Sequence, residues 1–447
     1  MTQYRTDGGN VIIGTPGRLD DVMERMPEMR LKTLELLVLD EADRLLDMGF
    51  EATLNAILVR LPKQRRTGLF SATQTSEVLN LVRAGLRNPV KVEVKATPAT
   101  LTNHYMIVDG EARLAQLVAF LCDELAAGRK LMVYFLTCAC VDYYASALTR
   151  LPVMRGLPVR GLHGKMAPSS RTKAYEWFVG STTGGAALLC TDVAARGLDI
   201  PDVDWIVQFD APQDPNAFVH RVGRTARMGR AGRALLFLRS TEDAYVRFLQ
   251  LRKVPLTPIE PAHDLVSLRP ELTELLVADR ALVEGAARAF VSYVRAYKEH
   301  QCKFIFQLEK LDLGDLARTL AVLRLPKLKE IQQAKRRKGA AGWVDWTPLV
   351  QVDLDSIKFK DRQREKQRQT NKKIKAEAAA AEAEAQVAEG ATAAAPAAAA
   401  PASRAGLSQQ ERDRERARQA AEEEEELARE AALMKKLKRG KITQAEA

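Results

Sequence analysis

The feature of this sequence that most constrains its fold is a regular alternation of short apolar runs with amphipathic helical patterns. One alternation covers residues 10–95, and a second covers residues 103–252. Short strands separated by helices are typical of right-handed β-α-β units, in which successive strands pair in parallel. The sequence therefore predicts an α/β protein with two parallel-sheet domains in tandem.

Polar residues follow most of the predicted strands. In the first alternation, strands are predicted at 11–13, 36–39, 68–70 and 90–94. In the second, they are predicted at 130–136, 158–162, 186–190, 205–209 and 234–238. The carboxyl ends of parallel strands share one edge of a sheet, where open α/β folds bind ligands. We therefore expect a ligand site between the two sheets.

The segment 36–43 is an apolar strand pattern that ends at Asp40, Glu41 and Asp43. A carboxylate at a strand end can hold a hydrated Mg²⁺ on the phosphates of a nucleotide. Beside it, Glu41 could orient or deprotonate an attacking water. The alternative is an acidic helix N-terminus, since residues 43–48 have a helical pattern and carboxylates stabilise that end. These eight residues alone leave both interpretations open.

Two strings in the second alternation could also contact phosphates or ribose. Arg224 and Arg227 are three residues apart and can share a helix face, and guanidinium groups match phosphate oxygens. Opposite the acidic strand end, they could neutralise charge on a transferring phosphoryl group; a basic RNA-binding loop is the alternative. Upstream, Gly197 would let the backbone approach a ligand, and Asp199 could accept hydrogen bonds from ribose hydroxyls. An ordinary strand-to-helix turn is the alternative there.

The charge balance indicates a polyanionic partner. The 447 residues carry a formal net charge of +11, which favours nucleic acid or an acidic protein as partner. No apolar run reaches the length of a membrane span, so no membrane association is expected. The five cysteines lie mostly in apolar segments, as is typical of reduced intracellular cysteines.

The C-terminal part of the chain has a different character. Residues 265–335 lose the strand pattern and follow helical spacing, which predicts a small helical extension. Residues 336–375 form a basic arm, for which a solvated surface and a nucleic-acid contact are both open. Residues 376–447 combine an Ala/Glu and Ala/Pro low-complexity linker with a charged helical pattern, and this composition cannot support a core.

Five short motifs occur in one order along the chain, at Thr15–Arg18, Asp40–Asp43, Ser71–Thr73, Thr191–Ile200 and His220–Arg227. Their order and spacing resemble those of the DEAD-box RNA helicases over residues 7–252. The resemblance implies two RecA-like domains that close on ATP and a single RNA strand. The first would occupy residues 1–98 and be incomplete, and the second would occupy residues 103–255. It also implies an ATP-dependent enzyme that remodels RNA or RNA–protein complexes.

The resemblance implies a role for each motif. Asp40 would hold Mg²⁺ through water, and Glu41 would position the hydrolytic water. The residues implied in catalysis are Asp40, Glu41, Asp43, Ser71, Thr73, His220, Arg224 and Arg227. Those implied to bind ATP are Gly197, Asp199, Arg224 and Arg227. Those implied to hold the RNA backbone are Thr15, Gly17, Arg18, Thr137, Gly164, Arg171 and Thr191. One departure is Pro168, which stands where the family commonly has Gln.

Segments outside these motifs narrow the resemblance. Residues 133–141, 290–297, 323–327 and 357–368 resemble the DEAD-box helicases of large ribosomal subunit assembly. This implies pre-ribosomal RNA and pre-ribosomal particles as partners. It also implies a monomer that resides in the nucleus and nucleolus.

One family motif is missing, because no Gly-x-x-x-x-Gly-Lys-Ser/Thr string occurs in the chain. The family places this phosphate loop and a Gln motif in the first half of the first domain. We therefore expect a chain that corresponds to the C-terminal part of a helicase, with a compromised first domain and little ATP turnover of its own. The alternative function is an ATP-independent RNA-binding assembly factor. Retention of Glu41, Arg224 and Arg227 favours the enzyme, and the missing loop favours the alternative.

Overall fold

The structure is a computed structural model. It describes residues 6, 8–26, 28–29, 31–72, 76–92, 100–181, 184–192, 200, 203–226, 230–336 and 346–374. The chain divides into two compact units, Met1–Arg368 and Gln369–Ala447, and nearly all described residues belong to the first. In the described part of the chain, no helix has both the length and the apolar character needed to cross a membrane.

The N-terminal region contains a small two-stranded parallel sheet. Its strands are β1 (Leu36–Leu39) and β2 (Arg66–Leu69), paired so that Leu39 lies opposite Leu69. Four helices accompany them: α1 Pro16–Arg25, α2 Ala42–Asp47, α3 Glu51–Arg60 and α4 Ser76–Gly85. The core beneath the sheet is small, with Leu39, Ala42, Leu54 and Leu81 at its centre.

Two strands predicted for this region are not formed. Residues 11–13 have no strand structure, and Ile13 is 92% exposed. Residues 90–92 are likewise irregular, and 93–94 lie outside the described residues. An apolar run becomes a strand only when a neighbour accepts its backbone hydrogen bonds. Among the described residues, β1 and β2 pair only with each other, which leaves Leu36 and Val38 more than half exposed.

The second domain is a seven-stranded parallel sheet in the order β5-β6-β4-β7-β8-β3-β9. The strands predicted in this region are confirmed, with small changes at their ends. Two further strands, β3 and β9, were not predicted; β3 pairs with β8 over its whole length. The strands are β3 Leu101–Ile107, β4 Lys130–Tyr134, β5 Val159–Leu162, β6 Ala186–Cys190, β7 Trp205–Gln208, β8 Gly232–Leu238 and β9 Thr257–Pro258.

Helices cover this sheet and build one continuous core with it. Strands β4, β6 and β7 are buried at every position, as expected for a parallel sheet that is covered on both faces. The helices are α5 Ala112–Ala126, α6 Cys138–Leu148, α7 Pro168–Gly180, α8 Asn216–Val222 and α9 Ala244–Leu251.

The predicted helical extension packs on the second domain and shares its core. The helical pattern of residues 271–300 is divided into two helices at Asp279, whose side chain caps the second by accepting the Ala281 N–H. Tyr143 of α6 donates its hydroxyl to the carbonyl of Leu320 at 2.7 Å, which joins the domain to the extension. The helices of the extension are α10 Arg269–Ala278, α11 Arg280–Lys298, α12 Leu313–Thr319 and α13 Lys329–Arg336.

The described part of the basic arm, residues 346–374, first runs along this extension and then forms a helix, α14, at 362–374. The N–H of Arg280 donates to the carbonyl of Lys358 at 3.0 Å. Ile357 is buried in the shared core, and Arg368 donates to the carbonyl of Asp355 at 2.6 Å. These contacts attach residues 355–368 to the start of α11.

Candidate functional site

The acidic strand end adopts a tight and strained turn. Asp40 follows β1, and its Oδ1 accepts the N–H of Glu41 at 2.9 Å. Glu41 has φ 48° and ψ 50°, a left-handed conformation that costs energy for any residue with a side chain. The helix α2 then begins directly at Ala42. Both interpretations of this segment hold, because the carboxylates lie at a strand end and also begin a helix.

Ser71 lies beside this turn because β1 and β2 are neighbours. The N–H of Ala42 donates to the carbonyl of Phe70 at 3.0 Å. The N–H of Asp43 donates to the Ser71 hydroxyl at 3.3 Å. The two motifs, 28 residues apart in sequence, therefore form one unit at the carboxyl edge of the small sheet.

The arginine-containing helix of the second domain meets this unit. His220 on α8 places Nε2 3.5 Å from Oδ2 of Asp43. Asp43 is 2% exposed and His220 is 14% exposed, so their contact is largely shielded from water. Arg224, just after α8, donates its Nε to the carbonyl of His220 at 3.3 Å. Carboxylates from one sheet and basic residues from the other thus lie on the two sides of one site.

Arg221 anchors α8 to the sheet, a role that the sequence did not reveal. Its Nε and Nη2 donate to the two carboxylate oxygens of Asp192 at 2.6 and 2.8 Å. Its Nη1 donates to Gln208 Oε1 at 3.2 Å and to the carbonyl of Asp210 at 2.7 Å. The guanidinium also lies over the ring of Tyr134. Arg221 therefore points inward and directs its neighbours on α8 toward the acidic strand end.

Several predicted site residues cannot be located in this arrangement. Thr73, Gly197, Asp199 and Arg227 lie outside the described residues. Their predicted roles remain predictions. Asp40, Glu41, Asp43, Ser71, His220 and Arg224 all lie in the described part, and the contacts above connect them.

The donor set at the acidic strand end fits Mg²⁺ held through water. Asp40 is exposed, and one carboxylate oxygen has no protein partner among the described residues. Mg²⁺ keeps several waters and takes one or two carboxylates together with the substrate phosphates. The described residues contain no group of three or more His, Cys, Asp or Glu that could hold a metal by itself. A single carboxylate is therefore the appropriate ligand for this ion here.

The predicted RNA contacts of the second domain lie at one edge of its sheet. Thr137 follows β4, Gly164 follows β5 and Thr191 follows β6. These three strands are adjacent, and Cys190 at the end of β6 is in register with both Tyr134 and Leu162. Their ends therefore form one row. The Thr191 hydroxyl is buried and has no nitrogen or oxygen partner among the described residues.

The remaining predicted RNA contacts lie at helix starts. Thr15 precedes α1, while Gly17 and Arg18 are on its exposed first turn. Arg18 forms an ion pair with Asp21 at 3.0 Å. Arg171 is half-buried in the first turn of α7, and the atypical Pro168 is the first residue of that helix. Proline is well suited to this position, because its missing N–H would have no partner within the helix.

The extension contacts this RNA edge directly. The hydroxyls of Thr137 and Ser292 form a hydrogen bond at 2.8 Å, and Thr137 also caps α6 by accepting the Cys140 N–H. Ser292 lies in one of the segments that resembles the assembly helicases, but its sequence context assigned it no role. Only the packing of α11 against α6 reveals that Ser292 orients a predicted RNA contact.

Three family models match the chain in order. The model for DEAD/DEAH box helicases matches residues 2–81, and the helicase conserved C-terminal domain matches residues 112–229. The C-terminal extension of ATP-dependent rRNA helicase SPB4-like proteins matches residues 279–328. These matches coincide with the small sheet, the seven-stranded sheet and the helical extension.

Curated relatives and solved structures agree with these models. The Dictyostelium discoideum protein named probable ATP-dependent RNA helicase ddx55 is 49% identical over 346 residues, which cover 74% of this chain and 52% of the relative. The human ATP-dependent RNA helicase DDX55 is 47% identical over 375 residues, covering 80% of this chain and 60% of the relative. The fold is similar to Mss116p bound to ssRNA and AMP-PNP, with a TM-score of 0.61, 26% identity and coverage of 77% and 72% of the two chains.

The chain spans only part of these relatives, between 52% and 60% of the length of the two curated proteins above. Within that span, the acidic strand end, the His220 contact and the three model matches follow one another in the family's order. The chain therefore belongs to the DEAD-box RNA helicases and carries their SPB4-like C-terminal extension.

Proposed function

We propose that this protein acts as an ATP-dependent RNA helicase that remodels RNA or RNA–protein complexes, with ATP as substrate and Mg²⁺ as cofactor. The observation that carries the proposal is the 3.5 Å contact between His220 and Asp43. It joins the carboxylates of the small sheet to the arginine-bearing helix of the second domain. A site shared by two domains can couple nucleotide turnover to their closure.

The described residues supply most of the required chemistry. Glu41 is placed next to Asp40 and can orient a water for attack on the γ-phosphate. Arg224 is held on the opposite side by the His220 carbonyl and can neutralise charge that develops on the transferred phosphoryl group. When bound through Asp40, Mg²⁺ supplies neutralisation of the phosphate oxygens. Asp43 and Ser71 link this turn to the neighbouring strand.

The RNA is proposed to lie along the edge formed by Thr137, Gly164 and Thr191. Contacts from hydroxyls and backbone groups read the sugar-phosphate chain and carry little sequence information. The net charge of +11 supports a polyanionic partner. The relatives named above and the SPB4-like extension favour pre-ribosomal RNA in large-subunit assembly. A monomer that acts on pre-ribosomal particles in the nucleolus is part of the same proposal.

A second candidate function is an RNA-binding assembly factor without ATPase activity. The missing phosphate loop favours it, because backbone N–H groups and a lysine of that loop would otherwise hold the β- and γ-phosphates. The second domain and its extension share one core and could bind RNA without the small sheet.

RNA-stimulated ATP hydrolysis by the 447-residue chain, compared with Glu41→Gln, separates the two functions. Hydrolysis that is lost in Glu41→Gln would establish the enzyme in this chain. Background hydrolysis in both, with single-stranded RNA still bound, would favour the assembly factor. Absence of RNA binding in a fluorescence anisotropy titration would contradict both. The Glu41→Gln side chain has nearly the same shape, so the comparison isolates the carboxylate.

A further inference from the structure

A cluster of nucleophilic and titratable side chains lies at the RNA edge of the second domain and has no part in the proposed reaction. It consists of Cys138, Asp142 and His163, with Thr191 beside them. Cys138 is the first residue of α6, and Asp142 follows it by four residues, so both side chains lie on one face of that helix. His163 reaches the same face from the end of β5.

The hydrogen bonds of His163 define the geometry of this cluster. Its Nε2 lies 2.7 Å from Oδ1 of Asp142, and its Nδ1 accepts the N–H of Lys165 at 3.2 Å. The ring is 3% exposed, whereas the Asp142 side chain is 66% exposed. The hydrogen bond to Asp142, followed by the one to Cys138, raises the pKa of His163 to about 9. The imidazole therefore favours its charged form next to the thiol.

Cys138 differs from every other cysteine of the chain, and all five lie in the described residues. Hydrogen bonding to His163 lowers the pKa of its thiol, with smaller contributions from the Lys165 N–H and the Thr191 hydroxyl. Its position at the start of α6 favours a negative charge as well. In contrast, burial raises the pKa of Cys140 to about 12, and burial and Asp123 raise that of Cys122.

We propose that Cys138 is a reactive thiol that forms a mixed disulfide with low-molecular-weight disulfides, and that this modification closes the RNA edge of the second domain. The first half of the proposal stands on the Cys138–His163–Asp142 arrangement alone. The second half rests on the proposed function, because Cys138 directly follows the predicted RNA contact Thr137 and faces Thr191.

The chemical step is a thiol–disulfide exchange. The Cys138 thiolate attacks one sulfur of oxidised glutathione, the sulfur–sulfur bond of the reagent breaks, and a new bond joins Cys138 to that sulfur. The other glutathione leaves as a thiolate and takes a proton from water. The Cys138 sulfur is oxidised and the leaving sulfur is reduced, so no further reactant is needed. A reducing thiol reverses the step.

The rate of mixed-disulfide formation tests the first half. We expect oxidised glutathione at pH 7 to modify one thiol per chain, roughly three- to tenfold faster than Cys122, since a larger thiolate fraction is partly offset by lower nucleophilicity. The fast phase should vanish in Cys138→Ser and persist in the matched control Cys122→Ser. In Asp142→Asn, which alters only an exposed side chain, the fast phase should slow and its pH midpoint should rise. A fast phase that survives in Cys138→Ser, or one that is unchanged in Asp142→Asn, would refute the reactive cluster.

Fluorescence anisotropy with single-stranded RNA tests the second half. Glutathione brings a net negative charge to the edge, and we expect affinity to fall by about tenfold or more, as like charges do when they oppose each other at an interface. Dithiothreitol should restore binding, and Cys138→Ser should bind RNA equally well with and without oxidised glutathione. If unmodified protein binds RNA and the modified protein binds it equally well, this inference is wrong while the proposed function stands. If unmodified protein binds no RNA, the proposed function fails, and the kinetics still decide the thiol chemistry.

Discussion

At the scale of single residues, Arg221 shows how one buried cation sets the orientation of a functional helix. Its side chain is 1% exposed, and its three nitrogens donate to Asp192, Gln208 and the carbonyl of Asp210. A planar guanidinium can satisfy acceptors in several directions at once, which lysine cannot do. His220, the adjacent residue, is thereby left to face Asp43.

We predict that Arg221→Ala destabilises the second domain by roughly 3–5 kcal/mol, the usual cost of removing one partner from a buried ion pair. The Gln208 and Asp210 oxygens would also lose their donor. Urea denaturation followed by circular dichroism measures the change. The matched control is Arg224→Ala, which we expect to cost less than about 1 kcal/mol because its side chain is less buried. Equal losses in the two variants would contradict the anchoring role.

At the scale of elements, the extension and the second domain are joined by polar groups as well as by a shared core. Arg239 donates to the Tyr293 hydroxyl at 2.8 Å and pairs with Glu242, which also accepts from the Tyr297 hydroxyl. Buried polar groups that are all paired fix one arrangement of the packed elements. Helix α11 therefore holds a defined position against α6, and Ser292 can reach Thr137.

Asp279 connects three elements, and we predict that Asp279→Ala releases residues 357–360 from the extension. Its carboxylate accepts from Arg150 at 2.7 Å, from the Ala281 N–H at 3.0 Å and from the Lys360 N–H at 3.4 Å. Although burial opposes the charge, these hydrogen bonds lower the pKa of Asp279. Hydrogen exchange should become faster at 357–360, with a loss of about 2 kcal/mol in the free energy of unfolding. Asp279→Asn keeps the cap and should show smaller changes; protection that is unchanged in Asp279→Ala would refute this connection.

The stability of the extension should depend on the protonation of His300. Its ring is 1% exposed and stacks on Phe306 with a centroid distance of 3.7 Å, and burial lowers its pKa from 6.5 to about 4. Above pH 6.5 both folded and unfolded states hold it neutral. Between pH 6.5 and 4 the unfolded state takes up a proton that the folded state does not, so the free energy of unfolding falls by up to about 3 kcal/mol.

Urea denaturation at several pH values measures this dependence. His300→Gln should remove that part of the slope between pH 6.5 and 4. His263→Gln is the matched control, because His263 is exposed, and it should keep the slope of the original protein. An identical slope in both variants would show that other groups cause the pH dependence.

At the scale of the whole molecule, the two sheets differ in how well their apolar groups are covered. The small sheet leaves Leu36 58% and Val38 51% exposed, whereas strand β4 of the large sheet is fully buried. Regions with little buried apolar surface open at low free energy. The small sheet should therefore open independently of the second domain and its extension.

Limited trypsin digestion followed by mass spectrometry tests this difference. We expect cleavage after Arg60, which ends α3, to be faster than cleavage after Arg252, which follows α9, although both are exposed at helix ends. The resistant fragment should retain residues 101–336. Equal cleavage rates at the two arginines would contradict a difference in local stability between the sheets.

The sequence by itself determined the α/β class, the strands of the second domain that are buried on both faces, and the polar residues that follow them. These features are local, because an apolar run and its flanking residues record burial along one strand. The sequence did not predict β3 and β9 or the break at Asp279, and its strand at 11–13 was wrong. Whether an extended segment forms a strand depends on a neighbour that local periodicity does not describe.

Only the tertiary structure decided which side chains meet. Arg221 and Asp192 are 29 residues apart, His163 and Asp142 are 21 apart, and Thr137 and Ser292 are 155 apart. Each pair is formed because a particular order of strands, or the packing of one helix on another, brings distant segments together. The carboxylates and arginines of the candidate site could be read from motifs, but the anchors that orient them follow from pairing and packing across the whole chain.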